Sequence, residues 1–181
     1  MNVLISGGSK NGKTGFALST ALRLSGGGRH FYVATMIPYD GEDRARIARH
    51  IEERAGLGFE TLEIQRGIAS CLTLGGADAT YLVDSVTALL LNEMYHGSFD
   101  AEADPRAAER CRDGLLKLAS GAKNVIFVTD YLYSDAVRYD DFTEKYRADL
   151  ASLDRALATV CDTVIELCAG NCIFHKGGLP K

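Results

Sequence analysis

The chemistry of this chain starts at Gly7-Gly8-Ser9-Lys10-Asn11-Gly12-Lys13-Thr14, which fits the pattern G-x-x-x-x-G-K-[ST]. Glycines let the backbone curl without Cβ clashes, so successive N–H groups can turn inward onto phosphate oxygens. A helix opening at that point adds the positive end of its dipole. In such a loop Lys13 reaches the β- and γ-phosphates, and the Thr14 hydroxyl holds Mg²⁺. All eight residues are therefore candidate nucleotide contacts, with Lys13, expected to face solvent, also a catalytic candidate. A glycine-rich turn that binds nothing has no need of flanking elements, and here both are present. A short apolar strand (Val3, Leu4, Ile5) precedes the loop, and a helix carrying Phe16, Ala17, Leu18, Ala21, Leu22 and Leu24 follows it.

Two further groups can serve that loop. Tyr81-Leu82-Val83-Asp84 is a buried-strand run ending in a carboxylate. Asp84 either supports the Mg²⁺ held by Thr14 or caps a helix beginning at Val86. The helix expected over Gly41 to Ala55 carries Ile47 and Ile51 on an apolar stripe, with His50 beside it and Arg44, Arg46, Arg49 and Arg54 around it. Balanced by Glu42, Asp43, Glu52 and Glu53, those arginines read as a solvated face, with His50 a candidate catalytic group beside the stripe.

The elements that must position these residues alternate along the chain. Strands are expected at Asn2 to Ser6, His30 to Thr35, Phe59 to Ile64, Thr80 to Val83, Asn124 to Thr129, Thr163 to Cys168 and Cys172 to His175. Helices lie between them, one opened by Asp104 as N-cap with Pro105 in its first turn, and a long one from Asp141 to Cys161. Gly26-Gly27-Gly28 is a turn. The pattern calls for one α/β domain over residues 1–181, a phosphate-loop NTPase-like (RecA-like) mostly parallel sheet with helices on both faces. Ligands of such sheets gather at the carboxyl ends of the strands, where the segment from Asp130 to Tyr139 also falls. With Tyr131, Tyr133 and Tyr139, that segment is either an acceptor-binding wall or a mobile surface loop.

Composition narrows the partners. Against 24 acidic residues stand 20 Lys and Arg, which gives no electrostatic case for nucleic acid. The longest apolar runs are too short to span a bilayer, and nothing at the start resembles a signal peptide. Five scattered cysteines without a C-x-x-C pair suit reduced thiols in a cytoplasmic protein rather than a zinc site. No D-x-x-G or N-K-x-D element of a GTPase switch occurs, and the chain is short for an AAA or RecA-type motor. A compact phosphoryl- or nucleotidyl-transferring enzyme remains.

The order of the short motifs resembles the bifunctional adenosylcobinamide kinase/adenosylcobinamide-phosphate guanylyltransferase family of cobalamin biosynthesis. The matching stretches are the phosphate loop, Tyr32-Val33-Ala34-Thr35, Arg46-Ile47-Ala48-Arg49-His50, Thr61-Leu62-Glu63, Asp84 with Thr87 and Asn92, Ala169-Gly170, and Lys176. The resemblance implies phosphorylation of the aminopropanol hydroxyl of adenosylcobinamide by ATP or GTP. It then implies attack of His50 on the α-phosphate of GTP and transfer of GMP to the phosphorylated corrinoid. It places Glu63, Ala34, Thr35 and, at shifted spacing, Arg54 near the guanine nucleotide, and it implies a homo-oligomer, a trimer. The chain departs from the family pattern after the fifth strand, at Asp130 to Arg138, and at Lys10 and Asn11 inside the loop; Phe59 stands where the family has Trp. Two alternatives follow from those departures: a phosphate-loop kinase of another small hydroxyl compound, and a nucleotide-binding paralogue without turnover.

Overall fold

The computed structural model describes residues 1–95 and 104–180. β1 (Asn2–Gly7) leads through the phosphate loop into α1 (Lys13–Ser25), followed by β2 (His30–Ala34), α2 (Gly41–Arg54) and β3 (Glu60–Glu63). A 3₁₀ turn (Ile68–Ser70) and the short α3 (Cys71–Gly75) precede β4 (Thr80–Asp84) and α4 (Val86–Met94). Then come α5 (Ala107–Gly121), β5 (Asn124–Asp130), α6 (Asp141–Val160), β6 (Thr163–Cys168) and β7 (Asn171–Lys176). The strands form one sheet in the order β3-β2-β4-β5-β1-β6-β7, parallel throughout except for β7, which runs antiparallel to β6. Among the described residues this is the expected fold class, a mostly parallel RecA-like sheet with helices on both faces.

Both faces of the central strands are buried, so their apolar residues divide by strict alternation. Leu4, Phe31, Val33, Tyr81, Val83, Val125 and Phe127 pack toward α4, α5 and α6. Val3, Ile5, Tyr32, Leu82, Ile126, Val128 and Ile165 pack toward α1. The second face has a consequence for α2. That helix buries none of its own residues, and Ile51 is half exposed. Its apolar stripe therefore faces a cleft, not a core.

Three local points depart from or decide between the readings of the sequence. Asp84 does not cap α4: Ser85 does, its Oγ accepting from the Ala88 N–H at 3.2 Å. Asp104 is not the N-cap of α5, which opens two residues later with Arg106 at the cap. The Asp104 carboxylate instead accepts from the Arg106 N–H at 2.8 Å and pairs with Arg110 at 2.9 Å, closing a turn ahead of the helix. The 3₁₀ turn and α3 interrupt a stretch in which the sequence predicts no element, since five residues are too few to show a helical period.

Candidate functional site

β5 lies between β1 and β4, so the phosphate loop and Asp84 sit on strands that are not neighbours. The register sets Gly7 beside Asp130 and Asp84 beside Val128. Three strand ends thus form a shallow arc below the N-terminus of α1. Gly12 enters that helix at φ 79°, a left-handed conformation that a residue with Cβ resists. Gly7 is constrained differently: a Cβ there would come within 2.6 Å of the Leu167 carbonyl oxygen.

Lys13 is buried, at 7 % exposure, contrary to the solvent-facing position expected for it. Its ammonium donates to the carbonyls of Gly7 (3.0 Å) and Gly8 (2.6 Å) and lies 2.6 Å from Asp130 Oδ1. Asp130 is itself buried, with its N–H donating to Thr87 Oγ1 at 2.9 Å. Nothing local in the sequence marks this pair. It follows from strand register, which sets the end of β5 against the start of the loop.

Thr14 turns the other way. Its hydroxyl lies 3.4 Å from Asp84 Oδ2. Two more groups converge on the same oxygen: the Tyr32 hydroxyl donates to it at 2.8 Å, and His50 Nδ1 lies 3.2 Å away and 3.1 Å from the Tyr32 oxygen. Burial alone would raise the Asp84 carboxyl. The hydrogen bond and charge of His50, with help from Tyr32 and Arg46, outweigh it and hold the group below the ordinary 3.8. Burial, reinforced by Asp84, pushes the Tyr32 phenol far above its usual range, so Tyr32 stays a donor. With two acceptor oxygens facing Nδ1, the neutral imidazole carries its proton there and keeps its lone pair on Nε2. The guanidinium of Arg54 stacks over the Tyr32 ring at 4.3 Å.

Two clefts share this centre. One, of about 310 Å³, is lined by Ser9 to Gly15 of the loop, by Glu42, Arg46, Arg49, His50 and Glu53 of α2, and by Asp84 and Asp130. The other, of about 240 Å³, runs between α2 and the sheet past Ala34, Ile47, Ile51, Arg54 and Glu63. Arg46, His50 and Asp84 line both. The structure therefore brings Lys13, Thr14, Asp84 and His50 together and sets Ala34, Arg54 and Glu63 around the second cleft. Thr35 is the exception. It is fully buried, its hydroxyl donating to the Ser85 carbonyl (2.8 Å) and accepting from the Ser85 N–H (2.7 Å), while Asn92 Nδ2 takes its carbonyl. It braces the turn after Asp84 and faces neither cleft.

A divalent cation fits the donors present. A hydroxyl and a carboxylate 3.4 Å apart supply the oxygen ligands that Mg²⁺ prefers, and Mg²⁺ completes its shell with phosphate and water. Among the described residues no group of three or more His, Cys, Asp or Glu could hold a metal unaided.

The segment after β5 is pinned at two points. Arg147 of α6 donates to the carbonyls of Leu132, Val137 and Asp135 at 2.9–3.2 Å and pairs with the Asp135 and Glu144 carboxylates. Tyr133 donates to Asp154 Oδ2 at 2.8 Å. These ties argue against a loose loop.

Comparison with known proteins bears on the family and the fold. The family model for cobinamide kinase/cobinamide phosphate guanyltransferase matches residues 3–173, nearly the whole chain. The chain belongs to that family. Its members act in cobalamin biosynthesis, and no described helix here is long and apolar enough to cross a membrane. No curated protein matches the chain significantly by sequence. Among solved structures, the flagellar accessory protein FlaH from Methanocaldococcus jannaschii is similar at TM-score 0.54 and 14 % identity, over 99 % of this chain and 82 % of its own. A second solved structure, an ATPase domain, is similar at TM-score 0.55 and 12 % identity, over 99 % of this chain and 78 % of its own. At such identities the likeness is one of fold, the RecA-like sheet that family membership would lead one to expect.

Proposed function

We propose that the chain carries out both reactions of its family: phosphorylation of adenosylcobinamide, then transfer of GMP from GTP to the product, yielding adenosylcobinamide-GDP. The observation that carries this reading is the anchoring of His50. A kinase needs no histidine at its phosphate loop, yet here Asp84 and Tyr32 hold Nδ1 where the two clefts meet, which leaves Nε2 as the nucleophilic nitrogen.

In the phosphoryl transfer, the loop N–H groups from Gly8 to Thr14 and the Lys13 ammonium bind the triphosphate of ATP or GTP. Thr14 and Asp84 would hold Mg²⁺, which neutralises phosphate charge when bound. In the guanylyl transfer, His50 attacks the α-phosphorus, the bond to the β-phosphate bridging oxygen breaks, and pyrophosphate leaves. Arg46, one turn before His50, steadies the phosphate charge. Ala34, Arg54 and Glu63 line the cleft proposed for the guanosine. Glu63 offers a carboxylate to the guanine N–H edge, and Arg54 stays stacked on Tyr32. Glu63, Arg54 and the phosphate loop together select a nucleotide. The corrinoid acceptor is assigned to the pinned segment after β5. A homotrimer fits the exposed Ile173 and Phe174 on the outer strand β7.

The decisive experiment uses GTP labelled at the α-phosphate with Mg²⁺. The wild type should take up an acid-labile label that His50→Asn does not, and γ-labelled GTP should tag neither by this route. A folded, GTP-binding wild type that takes up no α-label would remove the guanylyl transfer and leave a kinase or a nucleotide-binding protein without turnover.

A further inference from the structure

A third cleft, of about 400 Å³, opens on the far side of the end of β5, beneath the pinned segment. Gly8, Tyr131, Leu132, Tyr139, Tyr146 and Arg147 wall it. Asp130 lines this cleft and the phosphate-loop cleft alike, and no other described residue lines both. Its position is fixed on several sides: its N–H is bonded to Thr87, whose carbonyl accepts from the Tyr146 hydroxyl at 2.9 Å, and its carboxylate pairs with Lys13. The other acid of the site cannot reach this cleft. Asp84 Oδ2 is engaged by Thr14, Tyr32 and His50, and Asp84 lines only the two clefts against α2.

Resting on the kinase reading above, we propose that Asp130 is the general base of the phosphoryl transfer, with Lys13 as its ion partner until a triphosphate draws the ammonium away. The acceptor is an alcohol carried on a bulky, partly apolar molecule that the tyrosine walls of the third cleft can cover. Its hydroxyl donates to the Asp130 carboxylate at the boundary between the clefts. The hydroxyl oxygen bonds to the γ-phosphorus as the bond from that phosphorus to the β–γ bridging oxygen breaks. The nucleoside diphosphate leaves with that electron pair, and the hydroxyl proton passes to Asp130 and from there to water. The exchange of partners at Lys13 ties the two events together: the base is released by the arrival of the donor. An acceptor alone meets a carboxylate already neutralised.

The test compares wild type, Asp130→Asn and Asp130→Ser, using γ-labelled ATP, Mg²⁺ and adenosylcobinamide, with nucleotide affinity measured by equilibrium dialysis. Loss of a general base lowers kcat by about 10²–10⁴-fold, so both variants should lose at least about a hundredfold in kcat. Their affinity for Mg-ATP should be equal to or tighter than that of the wild type, because Lys13 no longer has to leave a carboxylate. A kcat within about tenfold of wild type in either folded variant overturns the proposal. So does a loss of nucleotide affinity that parallels the loss of kcat, which would make Asp130 a brace for the loop. A wild type that binds ATP but labels no corrinoid overturns the kinase reading itself and this proposal with it.

Discussion

Asp154 gives the sharpest energetic test of the structure. It sits on α6, 6 % exposed, with Oδ2 accepting from the hydroxyls of Thr129 (3.1 Å) and Tyr133 (2.8 Å). Oδ1 has no hydrogen-bond partner among the described residues. Burial raises the carboxyl from 3.8 to about 6; the nearby Asp130 charge adds to the rise, and the two hydroxyls oppose it. A carboxyl raised in the folded state stabilises most fully below its unfolded value, and that contribution is lost as the pH rises through its folded value. At about 1.36 kcal/mol per tenfold in proton affinity, the whole window costs about 3 kcal/mol, of which about 2 kcal/mol falls between about pH 4.5 and pH 7.5. Asp154→Asn removes the titration. Its oxygen can still accept from Thr129 and Tyr133, and its amide stands where Oδ1 stood, a pH-independent cost that cancels in the comparison. Urea unfolding at the two pH values should therefore show the variant gaining about 2 kcal/mol on the wild type as pH rises. Carboxyls not coupled to Asp154 titrate equally in both proteins and drop out. If the two stability profiles run parallel to within about 0.5 kcal/mol, Asp154 is ionised at little cost and the reasoning fails.

Tyr32→Phe keeps the ring under Arg54 but strips Asp84 and His50 of a shared hydroxyl; α-label uptake by His50 should slow about tenfold while GTP affinity holds, as rapid-quench labelling would show. Thr35→Val leaves the Ser85 N–H buried without its partner, while the Ser85 carbonyl keeps the Leu89 N–H at 3.1 Å. The loss should cost about 1–3 kcal/mol in denaturant unfolding. A loss under about 0.5 kcal/mol there would remove Thr35 from the scaffold of the site.

What the sequence made legible was local or periodic. The phosphate loop needs only eight consecutive residues and its flanking strand and helix. The alternation of Leu82 with Tyr81 and Val83 marks β4 as buried on both faces, and Asp84 stands at its end by position alone. The exchange of capping roles between Asp84 and Ser85 was harder to see, because both residue types cap well and only the backbone at Ser85, in the extended region with its Oγ toward Ala88, distinguishes them. The apolar spacing of Ile47 and Ile51 showed a stripe but not what faced it, and only the structure makes α2 one wall of a cleft. Asp130 and Tyr32 were opaque for another reason. Their partners are Lys13, Asp84 and His50, reached only through strand order and register, which no stretch of local sequence encodes.

Lys13 and Thr14 are consecutive, yet they address different strands: one reaches the end of β5, the other the end of β4. The divergence is the rotation of about 100° between neighbouring residues on the first helical turn. The loop thus behaves as a vernier whose length matters more than its wording. Lys10 is exposed and makes neither contact, so its exchange for a residue that tolerates its φ of 61° should leave both in place. Inserting one residue beside Lys13 would turn the ammonium or the hydroxyl away from its carboxylate, and deleting Lys13 would remove the ammonium altogether. Variation among related chains is accordingly expected to accumulate at the crown of the loop as substitutions, and almost never as a change in its count.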